Sequence, residues 1–185
     1  MLDPTGNGFA FGGVLPGHLH GKGVLHEAHK VNYSVDRVGR YLLHVRLRQS
    51  ARPVPGSPFA LTVVPGAANA LTTCLLPPAG GLVGEVGFGA TDGCSLRLQT
   101  YDRVGNQCAE GGASIVATCM QDGKPVIFVT CSCEDLGDGS YSLLWQSKQT
   151  GLFDAKVSIA NHAVRGSPMK IRIVSTRPDV DKTVL

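Results

Sequence analysis

The groups in this chain that could do chemistry are its cysteines, a few histidines and two serines that precede proline. The cysteines are Cys74, Cys94, Cys108, Cys119, Cys131 and Cys133. Cys131 and Cys133 are two residues apart. On a strand they share a face, which is a poor geometry for bonding each other. Zinc wants spaced pairs of Cys or His, and a Cys-x-Cys with no second pair nearby matches weakly. Buried free thiols are the reading set against a metal site or disulfide, and reduced cysteines fit a cytosolic setting. A nucleophilic Ser57 or Ser167 would need an oriented histidine and a carboxylate. His162 is close to Ser167 in sequence, but it falls in an expected loop with no helper. The expectation is therefore no catalytic residue, no metal, no cofactor and no enzymatic activity.

A longer-range pattern organises the chain. Asp3-Pro-Thr-Gly6-Asn7, running on to Gly12-Gly13, returns as Asp102-Arg-Val-Gly105-Asn106, running on to Gly111-Gly112. Each copy leads to a Gly-x-aromatic that opens an alternating strand, then to Gly-Ser-Pro and another strand. A duplicated unit of this kind is one folding module per copy, which tilts the function toward binding or spacer domains.

Composition sets the outer bounds. A chain of 185 residues has room for one large domain or two smaller ones. Gly 24 and Pro 11 without a period, between short apolar runs, indicate an all-β chain with many turns. The net charge of +3 is too small to imply a nucleic-acid or membrane partner. Arg37, Arg40, Arg46, Arg48 and Arg52 cluster around one strand, and a solvated sheet face is favoured over a polyanion site. No apolar run approaches the roughly 18 residues of a membrane span, and the N-terminus lacks a signal-peptide pattern. A cytoplasmic protein follows by default, an extracellular one if an upstream signal segment is missing.

The elements that must position these residues read as short strands. Pro65-Gly66 marks a boundary, with a first strand expected near 70–76 and interrupted at Pro77-Pro78. Cys94, Leu96, Leu98 and Thr100 alternate with Ser95, Arg97 and Gln99. After the Gly105-Asn106 turn come strands over 113–120 and 126–133, separated by a turn at Asp122-Gly123. Tyr141, Leu143 and Trp145 then Phe153, Ala155, Val157 and Ile159 recur two apart, and Met169, Ile171 and Ile173 close the unit against Lys170 and Arg172. Such spacing without a convincing helix describes an antiparallel sandwich, in which a one-residue slip would exchange the faces of every strand. The first copy matches Val31 and Tyr33 to Leu143 and Trp145, sets Tyr41, Leu43, Val45 and Leu47 inward, and leads from Gly56-Ser57-Pro58 into Phe59, Leu61 and Val63. It has no counterpart to the first two strands and is glycine-rich from Gly13 to Gly23. It is expected to be incomplete and less ordered, part of a fragment or a truncated gene product.

These motifs resemble the filamin-type immunoglobulin-like repeat, whose pattern joins D-x-x-G-N with G-G, a D-G-x-Y turn, G-x-Y and G-S-P-F. The second copy carries Asp102, Gly105, Asn106, Gly111 and Gly112, then Asp138, Gly139 and Tyr141, then Gly151 and Phe153, then Gly166, Ser167 and Pro168. Met169 replaces the usual Phe, and the first copy has His26-Glu27-Ala28-His29 where the D-G-x-Y turn should be. The implied fold is all-β: immunoglobulin-like sandwiches in tandem, with residues 1–64 a partial repeat, 65–175 a complete one and 176–185 a flexible tail.

The resemblance also implies a function. Such repeats bind extended peptides by adding a strand to the edge of strand C above a groove toward strand D. By position, strand C is 113–120 and strand D is 126–133. Ser114, Val116 and Thr118 would line one side, with Val129, Cys131 and Cys133 opposite. A core continuing beneath a closed edge is the plainer alternative. The implied setting is a cytoplasmic scaffold whose parent chain associates with actin. The alternatives are an adhesion module of a cell-surface or gamete protein, or the substrate-binding arm of a ubiquitin ligase.

Overall fold

The computed structural model describes residues 33–47 and 49–175, and the chain divides into two compact units between Val64 and Pro65. The turn expected over Asp3–Gly13, the glycine-rich segment after it, His26–His29, Val31, Arg48 and the tail 176–185 lie outside the described residues.

In the first unit, β1 (Gly39–Leu43) pairs antiparallel with β2 (Phe59–Val63), Tyr41 opposite Leu61. Tyr41 is buried and its hydroxyl donates to the Arg37 carbonyl at 2.8 Å. A buried ring thus keeps its polar tip satisfied. Leu47, expected inward, is substantially exposed, as are Phe59 and Tyr33, the residue matched to Trp145. Arg37, Arg40, Arg46 and Arg52 are also exposed.

The second unit is built from β3 (Leu82–Glu85), β4 (Cys94–Gln99), β5 (Ile115–Gln121), β6 (Lys124–Pro125), β7 (Val129–Asp135), β8 (Ser140–Ser147), β9 (Gly151–Ile159), β10 (His162–Ala163) and β11 (Met169–Val174). Among the described residues there is no helix. One sheet has the order β3-β11-β9-β5-β6, with β10 folded back on β9, and the other has β4-β8-β7. All pairings are antiparallel except β3 with β11.

Period-2 alternation becomes layered burial. Tyr141, Leu143 and Trp145 of β8 face Phe153, Ala155 and Val157 of β9 in a core completed by Leu98, Ile171 and Ile173. Each fully buried large side chain of this kind stabilises by about 1.5–3 kcal/mol. Charged neighbours such as Lys170 and Arg172 are left on the solvent side of β11.

The first strand expected near 70–76 does not form. Asn69 captures the Leu71 amide with its side chain, and the Thr73 N–H donates to the Asn69 carbonyl. This local turn competes with extension. The chain regains sheet structure only beyond Pro77-Pro78, as β3. The two strands expected over 113–120 and 126–133 are displaced toward the C-terminus, to β5 and β7.

Candidate functional site

β5 has a free edge. It pairs with β9 on one side and, only at Met120 and Gln121, with β6 on the other. The Ala160 N–H donates to the Ser114 carbonyl at 2.9 Å, so even-numbered residues aim their peptide groups at β9. Ile115, Ala117 and Cys119 therefore aim theirs outward. The Cys119 carbonyl is met by the Val126 N–H at 3.0 Å, where the chain turns back. Asp122 and Gly123, both at positive φ, make that two-residue turn.

β7 is the corresponding edge of the second sheet, since among the described residues it pairs only with β8. The Leu136 N–H donates to the Ser140 carbonyl at 3.1 Å. By the same alternation, Val129, Cys131, Cys133 and Asp135 present their backbone groups to the outside. The two edges adjoin, because β5 and β7 contact each other across the sandwich.

Side chains decide what these two edges present to each other. Val129 and Cys131 point inward, one buried and one half-buried, and Cys133 follows on the same face but is exposed. On β5 the inward residues are Ile115, Ala117 and Cys119, all packed on or in the core. Ser114, Val116 and Thr118, expected to line the groove, lie instead on the outer face of their sheet, with Val116 47% exposed. The register of β5 is thus one residue from the expected one. The inward side chains along the two edges are Ile115, Ala117 and Cys119 on β5 and Val129, Cys131 and Cys133 on β7.

Asp135 closes one end of this groove. Its carboxylate accepts the Gly112 and Gly137 amides, the former at 2.6 Å. These bonds hold its pKa below the ordinary carboxylate value. A side chain at Gly111 would collide with that carboxylate, and Gly112 sits at φ +92°. The Gly-Gly pair is required by this approach. Sequence reasoning singled out the glycines but missed Asp135, whose only local signal was an Asp two residues before Gly137. At the opposite end Phe128 packs edge-on against Phe153, ring centroids 6.0 Å apart, while Ile127 is 98% exposed.

The remaining motif residues build the scaffold. Asp102 is buried and accepts four bonds, from the Gly66, Val104 and Asn106 amides and from Asn106 Nδ2. Burial alone would raise its pKa, but these bonds outweigh it and hold the group at about 2. Gly105 donates to the Asp102 carbonyl, which ties the turn closed. Gly166, Ser167 and Pro168 lead into β11, and the Ser167 hydroxyl accepts the Val157 amide. The His162 ring is turned to the Ala160 carbonyl at 2.9 Å. Ser167 thus serves as a strand fastener.

The thiols are set up for inertness. Burial pushes Cys119 up to about 12, with the neighbouring Cys131 thiol adding to the effect, and burial pushes Cys131 up to about 11. Both stay protonated at neutral pH and are poor nucleophiles. Among the described residues no cluster of three or more His, Cys, Asp or Glu could hold a metal ion, and no helix is long and apolar enough to cross a membrane.

The topology defines the class. A β4-β8-β7 sheet facing a β5-β9-β11 sheet repeats the strand logic of an immunoglobulin-like sandwich. Its Asp102–Asn106 turn, Gly111-Gly112 and Gly166-Ser167-Pro168 are the motifs by which the sequence resembles the filamin-type repeat. No family model matches the chain, and no curated protein matches it significantly. Among solved structures, the Lin-41 filamin domain is similar at 12% identity and TM-score 0.48, over 60% of this chain and 100% of that one. InvD of Yersinia pseudotuberculosis is similar at 17% identity and TM-score 0.44, over 74% of this chain. FdeC, an Escherichia coli adhesin, is similar at 16% identity and TM-score 0.45, over 69% of this chain. The chain spans 38% of the length of each of these last two structures.

Proposed function

We propose that residues 65–175 form a non-enzymatic protein-interaction module that binds an extended peptide by strand addition to β5. The observation that carries this reading is the pair of adjoining edges, β5 and β7, which among the described residues lack a strand partner on their outer sides over most of their length and whose inward side chains are apolar. Ile115 and Ala117 would exchange main-chain hydrogen bonds with the peptide, supplying affinity. Alternate peptide side chains would enter the cleft, supplying selectivity.

The resemblance to filamin repeats extends the proposal to a cytoplasmic scaffold, associated with actin through a longer parent chain. Six free thiols suit a reducing compartment of that kind.

The test is a screen of extended peptides against the full chain, read by amide hydrogen exchange. A bound peptide slows exchange at the Ile115 and Ala117 amides, and Ala117→Asp abolishes binding. Peptides that bind while leaving both amides unprotected, or that bind Ala117→Asp as well as wild type, overturn the reading.

A further inference from the structure

Charge is distributed unevenly around the groove. Within residues 104–147 lie five carboxylates, Glu110, Asp122, Glu134, Asp135 and Asp138, and one amine, Lys124. That stretch has a net charge of −4 in a chain whose total is +3. The two edges themselves are uncharged, since no Asp, Glu, Lys, Arg or His occurs in 113–121 or in 125–133 and the thiols of Cys119 and Cys131 stay protonated. The excess is therefore at the ends, and the ends differ. At the turn after β5, Asp122 is offset by Lys124. At the other end Glu134, Asp135 and Asp138 fall within five residues, and the Asp135 carboxylate binds the Gly112 amide two residues from Glu110. Among the described residues the ion pair there is that of Asp138 with Arg97 at 2.8 Å, and both side chains are more than half exposed. Between the ends, the incompletely buried Ala117, Cys131 and Cys133 are all small, so a strand laid along β5 would meet little side-chain bulk there.

Resting on the groove reading above, we propose that the partner is a cationic extended peptide. It has a large apolar side chain seated over Ala117 and Cys133, and Lys or Arg at the end lying beside Glu134 and Asp135. Strand addition is indifferent to side-chain charge, because backbone groups make the ladder. Selectivity must come from what surrounds the ladder, and an acidic end in a basic chain favours opposite charge and repels like charge. The same field fixes the peptide's direction along β5, which an uncharged cleft could not do. Surface carboxylates act here through solvent, so the preference is graded and salt-sensitive.

The experiment uses the full chain and synthetic peptides that share one alternating apolar core and differ only at one end: lysines, glutamines or glutamates. Binding is followed by fluorescence anisotropy at low and high salt, with Ala117 amide protection as the locator. The lysine peptide binds about five- to tenfold more tightly than the glutamate peptide, as expected for two exposed ion pairs. High salt erases the difference, and Glu134→Lys reverses it while Glu134→Gln only reduces it. If lysine and glutamate peptides bind equally and both protect Ala117, charge selection is wrong and the groove reading stands. If none protects Ala117, both fall. If the lysine preference survives Ala117→Asp, the cation is bound elsewhere and the proposal is wrong.

Discussion

The Ser167 hydroxyl accepts the backbone N–H of Val157 at 2.9 Å, fastening the start of β11 to the middle of β9. In the first unit Ser57 does the same for Val45, also at 2.9 Å. Both serines stand before a proline in a Gly-Ser-Pro motif, and both Ser–Pro bonds are cis. A serine that looks like a candidate nucleophile is thus explained twice by one structural job. Ser167→Ala leaves a strand amide unpaired beneath the sheet and is expected to destabilise its unit by about 1–2 kcal/mol. Chemical denaturation of the variant checks this. An unchanged midpoint contradicts the assignment.

Asp102 ties the entrance of the second unit to the Asn106 turn, and its ionisation makes that tie pH-dependent. Its folded pKa of about 2 is below the ordinary 3.8. The stabilisation is therefore complete above pH 3.8 and is lost as pH falls toward 2. Thermal melts of the wild type should fall across that window, and Asp102→Asn should weaken the dependence, leaving the smaller part due to Asp135 and Asp138. Asp102→Ala, which leaves the amides of Gly66, Val104 and Asn106 without their acceptor, is expected to cost about 3 kcal/mol.

The register of β5 separates two adjacent substitutions. Val116→Asp places a carboxylate on the solvent face and is expected to leave both folding and peptide binding close to wild type. Ala117→Asp places it in the groove and is expected to remove binding, with about 1–3 kcal/mol lost from stability. Circular dichroism and the peptide assay, run together, distinguish fold from function. The reverse outcome restores Ser114, Val116 and Thr118 as the groove lining.

This register was the feature least legible in the sequence, for a definite reason. On β9 and β11, Asp154, Lys156, Lys170 and Arg172 mark the solvent face, so alternation identifies the core. On β5 neither face carries a charge: Ile115, Ala117 and Cys119 alternate with Val116, Thr118 and Met120. Periodicity then gives a strand without saying which side is in. The sandwich and its turns were legible because glycine and asparagine tolerate positive φ, as Gly105 and Gly112 do here. The Asp135 clamp was not, because it joins residues 23 apart in sequence.

Graded burial along the groove predicts graded thiol reactivity. Cys133 is exposed, Cys131 half-buried and Cys119 buried, and the pKa values of about 11 and about 12 at Cys131 and Cys119 reinforce the order. Maleimide labelling of the native protein, resolved by peptide mass mapping, should modify Cys133 first, Cys131 more slowly and Cys119 only on unfolding. A peptide seated in the groove should slow Cys133 further. Rapid labelling of Cys119 in the native state contradicts the core position given to it.

Trp145 offers a test of the core itself. It is fully buried between Cys94 and Cys131 in the β4-β8-β7 register, yet its indole N–H has no hydrogen-bond partner among the described residues. A buried, unsatisfied donor costs about 1–3 kcal/mol, so removing it offsets part of the packing lost on truncation. Trp145→Phe is therefore expected to cost about 1 kcal/mol or less, against about 3–5 kcal/mol for Trp145→Ala. Because this is the only tryptophan, with Trp 1 in the composition, denaturation of both variants must be followed by circular dichroism. If Trp145→Phe costs as much as Trp145→Ala, the indole N–H makes a bond in the folded protein, and Cys94 and Cys131, its cross-strand neighbours, are the first acceptors to test.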